Sequence, residues 1–233
     1  MKVFDIIANA LFPCKCYSCG QIVGENEFLC EYCYEMLEYI DTTKHCPRCG
    51  AYKKNCECNN RVFHFERVTA PFINDGVAKK AMYRYKFRKI SSHTDFFARE
   101  MAKTVKTVYS DIDFDGIVYV PMHPLKKLRR GFNQSQLLAK GLSKILRIDV
   151  FEDLLKCKYN RKSQHNMPFD ERFQNVKGMY SFNYRIEGKT ILLVDDIKTT
   201  GASLDECAKQ LLLAGAEHIY CITGLVTVKK GKK

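Results

Sequence analysis

Residues 189–203 read KTILLVDDIKTTGAS. The apolar run at the start has the length of a buried parallel strand and ends at Val194, just before two aspartates and a polar loop. Leucine and alanine recur at helical spacing over 204–212, and Gly215 is placed to end that helix. A second apolar run follows at 218–226. The pattern predicts a β–α–β unit whose polar loop lies at the carboxyl end of the first strand, where open α/β sheets bind ligands.

The polar loop has the chemistry of a phosphate-binding site. It combines hydroxyl groups, small residues that let the backbone approach a ligand, and a helix start whose free N–H groups favour an anion. The residues that we expect to hold a phosphate monoester are Thr199, Thr200, Gly201, Ala202 and Ser203. The paired carboxylates of Asp195 and Asp196 suit sugar hydroxyls, or a Mg²⁺ ion that bridges them to a pyrophosphate. The alternative is that these residues only cap a helix.

Cysteine is concentrated near the start of the chain. Nine of the twelve cysteines lie between Cys14 and Cys58, mostly in pairs whose spacing suits tetrahedral zinc. Because we find no export signal, we expect reduced thiols that bind Zn²⁺, with four thiolates per ion and a structural role. The predicted ligands are Cys16, Cys19, Cys30 and Cys33 for one zinc ion and Cys46, Cys49, Cys56 and Cys58 for a second. Cys14 is an alternative to Cys16, and cross-bracing between the pairs is a further arrangement.

Charge divides the chain at the same place. The 233 residues carry a net charge of +12, but residues 1–60 hold six basic and eight acidic side chains, so the remainder carries +14. A hydrophobic content of 46% argues against extensive disorder. We find neither an apolar run of about 18 residues nor a signal peptide, and therefore expect a cytoplasmic protein without membrane insertion.

Two basic stretches carry aromatic residues among their cations. Residues 83–89, YRYKFRK, alternate the two types as far as Arg88, and residues 126–132 combine four cations with Phe132. In proteins that bind single-stranded DNA, cations follow the phosphates while aromatic rings stack on the bases. The predicted DNA contacts are Arg84, Lys86, Arg88, Lys127, Arg129 and Arg130. The alternative is an ordinary half-buried strand, or a helix edge with lysines that reach solvent.

Residues 192–203, LLVDDIKTTGAS, resemble the phosphoribosyl-pyrophosphate (PRPP) motif of type I phosphoribosyltransferases. With the cysteine pairs, VPMHP at 120–124 and RRGFNQ at 129–134, the chain resembles the ComF family over about residues 11–228. That family joins an N-terminal zinc ribbon to such a domain and serves DNA uptake in natural transformation. Further matching residues are Gln164, Arg172, Asn175 and Val176. Ser203 stands where the family has threonine, and residues 160–165 fit its flexible loop only loosely.

The resemblance implies an α/β fold: a type I phosphoribosyltransferase-like, mostly parallel sheet flanked by helices, with a small N-terminal zinc-ribbon module. We expect the zinc module over residues 1–60, the phosphoribosyltransferase-like domain over 61–228 and a basic tail over 229–233. Helices are predicted near 93–109, 133–146 and 203–214.

The resemblance also implies roles for single residues. Asp195 and Asp196 would contact the ribose hydroxyls and the metal, while the Thr199–Ser203 loop would hold the 5′-phosphate. A strand at 118–120 leads into a loop at 121–127, where His123 and Lys126 are candidates for binding pyrophosphate. The alternative for this loop is a proline-bounded turn with solvated lysines.

Three functions are consistent with these features. The first is a DNA-uptake protein that binds single-stranded DNA and holds PRPP, or a related small phosphorylated ribose ligand, with Mg²⁺. The second is an active phosphoribosyltransferase of nucleotide salvage that releases pyrophosphate from PRPP. Residues 61–110 are the place where such an enzyme would recognise a base. The third is a nucleotide-sensing regulator whose zinc module contacts a partner. A DNA translocase or helicase of the uptake machinery bound through the zinc module would instead support the first function.

Overall fold

A sheet of parallel strands organises the chain. The computed structural model describes residues 13–25, 27–56, 58, 62–88, 92–158 and 169–228, without the side chains at positions 87, 88, 92, 93, 169, 170 and 172. The described strands are β1 (Arg67–Thr69), β2 (Phe72–Ile73), β3 (Gly116–Tyr119), β4 (Leu155–Cys157), β5 (Tyr180–Phe182), β6 (Thr190–Lys198) and β7 (His218–Val226). The main sheet has the order β1–β7–β6–β3, with β2 also paired to β7, and all of these pairings are parallel. The strands β4 and β5 form a separate antiparallel pair.

Helices connect the strands of this sheet, as the β–α–β pattern predicts. The described α-helices are α1 (Glu31–Glu35), α2 (Gly76–Arg88), α3 (Ser92–Val108), α4 (Pro124–Arg130), α5 (Gln134–Leu146), α6 (Phe169–Val176) and α7 (Ala202–Leu213). A short 3-10 helix spans Lys53–Asn55. The helices predicted near 93–109, 133–146 and 203–214 correspond to α3, α5 and α7, and these predictions are confirmed. No helix among the described residues combines the length and apolar character needed to cross a membrane.

The two long strands β6 and β7 are buried because apolar side chains cover both faces of the sheet. On one face, Leu192 packs in the same apolar cluster as Met101 of α3 and Leu142 of α5. On the other face, Leu193 belongs to a cluster with Leu211 of α7. A parallel sheet covered in this way leaves the carboxyl ends of its strands as the place for polar residues.

The cysteine-rich segment packs directly on the α/β domain. The ring of Tyr17 lies 6.4 Å from that of Phe96 in α3, and the ring of Tyr39 lies 5.0 Å from that of Phe72 in β2, measured between centroids. The predicted fold, a mostly parallel α/β domain of the phosphoribosyltransferase-like class with an N-terminal cysteine-rich module, is confirmed. The predicted module limit at residue 60 and the tail at 229–233 lie outside the described residues.

Candidate functional site

The two aspartates of the motif lie inside a strand and do not follow it. The sequence predicts that the strand ends at Val194, but β6 continues to Lys198. The prediction was wrong because β7 runs equally far beside it: Asp195 pairs with Thr223 and Lys198 with Val226. Consecutive strand residues point to opposite sides of a sheet, so the two carboxylates have different neighbours.

Asp195 is held by two hydrogen bonds. Its Oδ1 accepts one from the Ser135 hydroxyl at the start of α5, at 2.7 Å, and one from the backbone N–H of Asp196, at 2.9 Å. Burial raises the pKa of Asp195 from 3.8 to about 7, and the negative charge of Asp196 adds to this effect. The nearby Lys86 ammonium lowers the pKa and therefore opposes them. The pocket thus holds a carboxyl group that a bound cation would readily ionise.

Asp196 forms an ion pair with Lys86 of α2, at 2.9 Å between Nζ and Oδ2. Both side chains are largely shielded from solvent, with 17% and 14% of their surface exposed. Lys86 was predicted to contact DNA, because the alternation suggested a basic surface. The helix turns this side chain toward the acid pair, where its charge offsets that of Asp196, and DNA contact by Lys86 stays a prediction.

The neighbouring cations of α2 have other surroundings. Arg84 donates to the carbonyl oxygen of Cys16 at 3.2 Å, and its guanidinium also approaches Gly20. The ring of Tyr85, between the two cations, is fully buried and its hydroxyl donates to the carbonyl of Gln134 at 3.0 Å. The side chain of Arg88 lies outside the described part of the chain.

The predicted phosphate loop forms the start of α7. Gly201 precedes the first helical residue, Ala202, with a φ of 88°, which is the left-handed region that glycine occupies without strain. The Thr200 hydroxyl accepts from the N–H of Ala202 at 3.3 Å, so part of the helix start is capped internally. Thr199 is exposed and Ser203 is partly exposed, while Thr200, Gly201 and Ala202 are buried. The exposed face of this loop therefore presents hydroxyls beside the positive end of a helix dipole.

The strand β3 leads into a second loop, which lies at the same edge of the sheet as the phosphate loop, at the carboxyl ends of the strands. It spans 116–119, close to the predicted 118–120, and the N–H of Val120 donates to the carbonyl of Val194 at 2.9 Å. Asn133 ties this loop to α5: its side-chain amide donates to the carbonyl of Val120 at 3.1 Å and its Oδ1 accepts from the N–H of Ser135 at 3.1 Å. Because Ser135 also holds Asp195, Asn133 and Ser135 join the loop to the acid pair. Sequence reasoning assigned no role to either residue.

The prediction of a loop over 121–127 was wrong in part, because α4 begins at Pro124. Proline suits the first position of a helix, and Nδ1 of His123 accepts from the N–H of Leu125 at 3.2 Å as the cap. Lys126 consequently lies on the helix, partly exposed. His123 therefore has a local structural role as the cap of α4, and its contact with pyrophosphate stays a prediction, as does that of Lys126.

The basic helix α4 presents most of its side chains to solvent. Lys127 and Arg129 are exposed, as are Leu125 and Leu128, which are 60% and 82% exposed. Lys127 donates to Gln136 at 3.3 Å, while Arg130 donates to the buried Gln134 at 2.8 Å. These two bonds anchor one side of the basic cluster to the start of α5. Residues 160–165, with Gln164, and the Arg172 side chain lie outside the described residues.

The eight predicted zinc ligands form two separate sets. In each set the four sulfur atoms lie within 4.8 Å of one another. The Cys19–Cys30 sulfur distance is 3.7 Å in the first set, and the second set has distances of 3.9 Å for Cys46–Cys58 and 3.7 Å for Cys49–Cys56. Tetrahedral zinc with Zn–S bonds of about 2.3 Å places its sulfurs about 3.8 Å apart, so both sets fit this metal. Cys14 belongs to neither set, and the described ligands are not shared between them.

A buried lysine connects the second set to the phosphate loop. Lys198, at the end of β6, is 6% exposed and its ammonium donates to the carbonyl oxygen of Cys49. A methyl group added at Gly201 would lie 3.3 Å from Cε of Lys198, so its aliphatic chain supports the loop. Sequence reasoning missed this contact because the pairing partner of the strand end could not be known.

Known proteins resemble this chain in both parts. Residues 7–62 match the double zinc ribbon domain. The chain is 28% identical to competence protein ComFC of Bacillus subtilis over 91% of this chain and 85% of that protein. It is 33% identical to DNA utilization protein YhgH of Escherichia coli over 46% of this chain and 48% of that protein.

Among solved structures, a purine phosphoribosyltransferase from Pyrococcus horikoshii aligns with 60% of this chain and 89% of its own. The identity is 15% and the TM-score 0.35, so the strands and loops described above remain the basis for assigning the fold. The zinc-ribbon match precedes the phosphoribosyltransferase-like domain and the similarity to ComFC extends through both, which supports the resemblance of this chain to the ComF family.

Proposed function

We propose that this protein acts in DNA uptake in the cytoplasm, where it binds single-stranded DNA and holds PRPP or a related ribose phosphate with Mg²⁺. The observation that carries the pocket assignment is the acid pair Asp195 and Asp196 beside the start of α7. The relatives named as competence and DNA utilization proteins support the biological setting.

The residues of the pocket match the parts of such a ligand. A helix start with hydroxyl side chains suits a phosphate monoester. Carboxylates suit ribose hydroxyls, or a Mg²⁺ ion, which prefers oxygen ligands. The fit to Mg²⁺ is supported by Asp195, since a carboxyl group whose pKa is raised to about 7 gains a counter-charge when the ion binds. In this proposal Lys86, which pairs with Asp196, also contacts the negative charge of the pyrophosphate. The binding of Mg²⁺ near neutral pH would then release, on average, less than one proton per protein molecule from Asp195.

The DNA surface that we propose is the exposed side of α4. It presents Lys127 and Arg129, with Arg130 beside them, in the part of the chain that carries a net charge of +14. Its neighbour α5 provides Ser135 to the acid pair, so this surface adjoins the pocket. Two of the predicted DNA contacts, Arg84 and Lys86, are engaged by the zinc module and by Asp196, which leaves α4 as the better supported surface.

The test is the fluorescence anisotropy of a labelled single-stranded oligonucleotide at two salt concentrations, with and without PRPP and Mg²⁺. We expect binding that weakens with salt and is lost when Lys127, Arg129 and Arg130 are all changed to Gln. The matched control changes three exposed lysines elsewhere to Gln, namely Lys53, Lys54 and Lys106, and should retain binding of the oligonucleotide. Equal losses in both variants would contradict a specific surface on α4.

The salvage-enzyme alternative predicts a different result. Incubation with PRPP, Mg²⁺ and a panel of bases would then release pyrophosphate in a manner that depends on the base. A binding protein would show PRPP affinity by calorimetry without that release. A DNA translocase or helicase partner remains a prediction that purification of the intact complex would test.

A further inference from the structure

The environment of Lys198 is unusual for a lysine. It is 6% exposed, and its ammonium group donates to the carbonyl oxygen of Cys49, a ligand of the second cysteine set. Among the described residues, no carboxylate forms an ion pair with it. Burying an ammonium group is costly unless a negative charge lies nearby, so a negative neighbour would stabilise the charged form of Lys198.

The second cysteine set supplies that negative charge once zinc is bound. Four thiolates around one Zn²⁺ ion carry a net charge of −2, and the carbonyl that Lys198 contacts belongs to Cys49, one of the four ligands of this set. Groups that hydrogen bond to a metal site from outside its ligands stabilise the bound metal. Lys198 has the charge, the burial and the contact for this role.

Lys198 also lies next to the phosphate loop. Thr199 of the loop follows Lys198 directly in the chain. The aliphatic chain of Lys198 packs against Gly201, whose other neighbours are the rings of Phe63 and Phe65. On the opposite side, Val226 is the partner of Lys198 in β7. Val226 also contacts Gly50, which follows Cys49 of the second cysteine set. The loop, the strand end and the knuckle therefore form one continuous contact.

We propose that Lys198 is the counter-charge of the second zinc centre and a positioning residue for the phosphate loop, so that occupancy of this centre sets the affinity for the phosphate ligand. The phosphate-ligand part of this inference rests on the proposed function. The zinc part rests on the cysteine set and the lysine alone. Loss of zinc would leave the ammonium without its counter-charge, and the loop would lose its support.

The two zinc centres are therefore not equivalent. In the first centre, the carbonyl of Cys16 accepts from Arg84, which is more exposed than Lys198 and lies on α2, the helix that also carries Lys86. Loss of the second zinc should accordingly disturb the phosphate loop through Lys198. Loss of the first zinc should disturb α2, through the bond between Cys16 and Arg84.

The experiment compares Lys198→Met with Lys198→Arg, which keeps the charge, and with Lys209→Met, a surface control on α7. Zinc release to a chromogenic chelator is followed in the full chain, together with PRPP binding in the presence of Mg²⁺ and limiting or saturating Zn²⁺. We expect Lys198→Met to weaken one of two zinc sites by about 10–100-fold, with the other unchanged, and Lys198→Arg to restore most of the loss. The Lys209→Met protein should match the wild type.

PRPP binding tests the second half of the proposal. Where zinc is too scarce to fill the weakened site, Lys198→Met should bind PRPP at least about tenfold more weakly than the wild type, the loss typical of one strong polar contact. Wild-type zinc affinity in Lys198→Met would overturn the counter-charge role. Unchanged PRPP affinity in the zinc-poor variant would overturn the coupling. If the wild type itself binds no PRPP, the proposed function and the coupling fail together, and zinc release still decides the role of Lys198.

Discussion

Replacing Asp195 with asparagine should stabilise the free protein while it weakens the binding of PRPP with Mg²⁺. In the folded chain, burial and the charge of Asp196 raise the pKa of Asp195 from 3.8 to about 7. Because the folded-state pKa lies above the unfolded value, this group costs stability as the pH rises from about 4 to about 7. Asparagine does not ionise and avoids that cost. Its side-chain oxygen still accepts the bonds from Ser135 and the Asp196 N–H.

The magnitude follows from the pKa difference. A difference of about 3 between the folded and unfolded states corresponds to about 4 kcal/mol at pH values above about 7, which is the upper limit of the gain. At about pH 5.5 the same relation gives about 2 kcal/mol. The advantage of Asp195→Asn over the wild type should therefore grow by up to about 2 kcal/mol between about pH 5.5 and pH 8. This change with pH is independent of the cost of burying the new amide.

Urea unfolding at the two pH values, with added Zn²⁺, measures this difference. Asp115→Asn is a control of opposite sign, because the pKa of Asp115 is lowered by the Thr190 N–H and by Lys189. Its removal should destabilise the protein equally at both pH values, because both lie above its ordinary pKa of 3.8 and the stabilisation is lost only at lower pH. A stability difference between Asp195→Asn and the wild type that does not change with pH would refute the assigned cause of the raised pKa.

Three further changes test other parts of the structure. Lys86→Met removes the partner of Asp196 and should weaken PRPP binding, measured by calorimetry, more than DNA binding, measured by anisotropy. A larger loss of DNA binding would show that Lys86 belongs to the DNA surface. Gly201→Ala forces a side chain into a φ of 88° against Lys198, and chemical unfolding should show a loss of about 1–3 kcal/mol. Cys16→Ser with Cys19→Ser should reduce the metal content from two zinc ions per chain to one and lower the melting temperature; two retained ions would contradict the assigned first set.

Local patterns predicted the parts of the molecule whose physical cause is local. The helix α7 and its stop at Gly215 follow from apolar spacing and from the backbone freedom of glycine. The cysteine spacings predicted both ligand sets, because two residues between thiols, as in three of the four pairs, suit a zinc knuckle irrespective of the rest of the fold. The acid pair and the loop were identified for the same reason, since the strand, the loop and the helix follow one another in the chain.

Side-chain partners depended on elements far apart in sequence. Alternation in residues 83–89 described a basic surface, yet the helical period of 3.6 turned Tyr85 into the core and Lys86 toward Asp196. The strand β6 extended past Val194 because β7 provides hydrogen bonds along its whole length.

The sequence by itself determined the order of the strand, loop and helix at 189–213, the metal ligands and the polar residues of the phosphate loop, since each depends on neighbours within a few positions. Only the tertiary structure decided which charges meet: Lys86 with Asp196, and Lys198 with the second cysteine set. The physical reason is that burial and ion pairing depend on distance in space. Residues 110 and 149 positions apart become partners only after the sheet has formed.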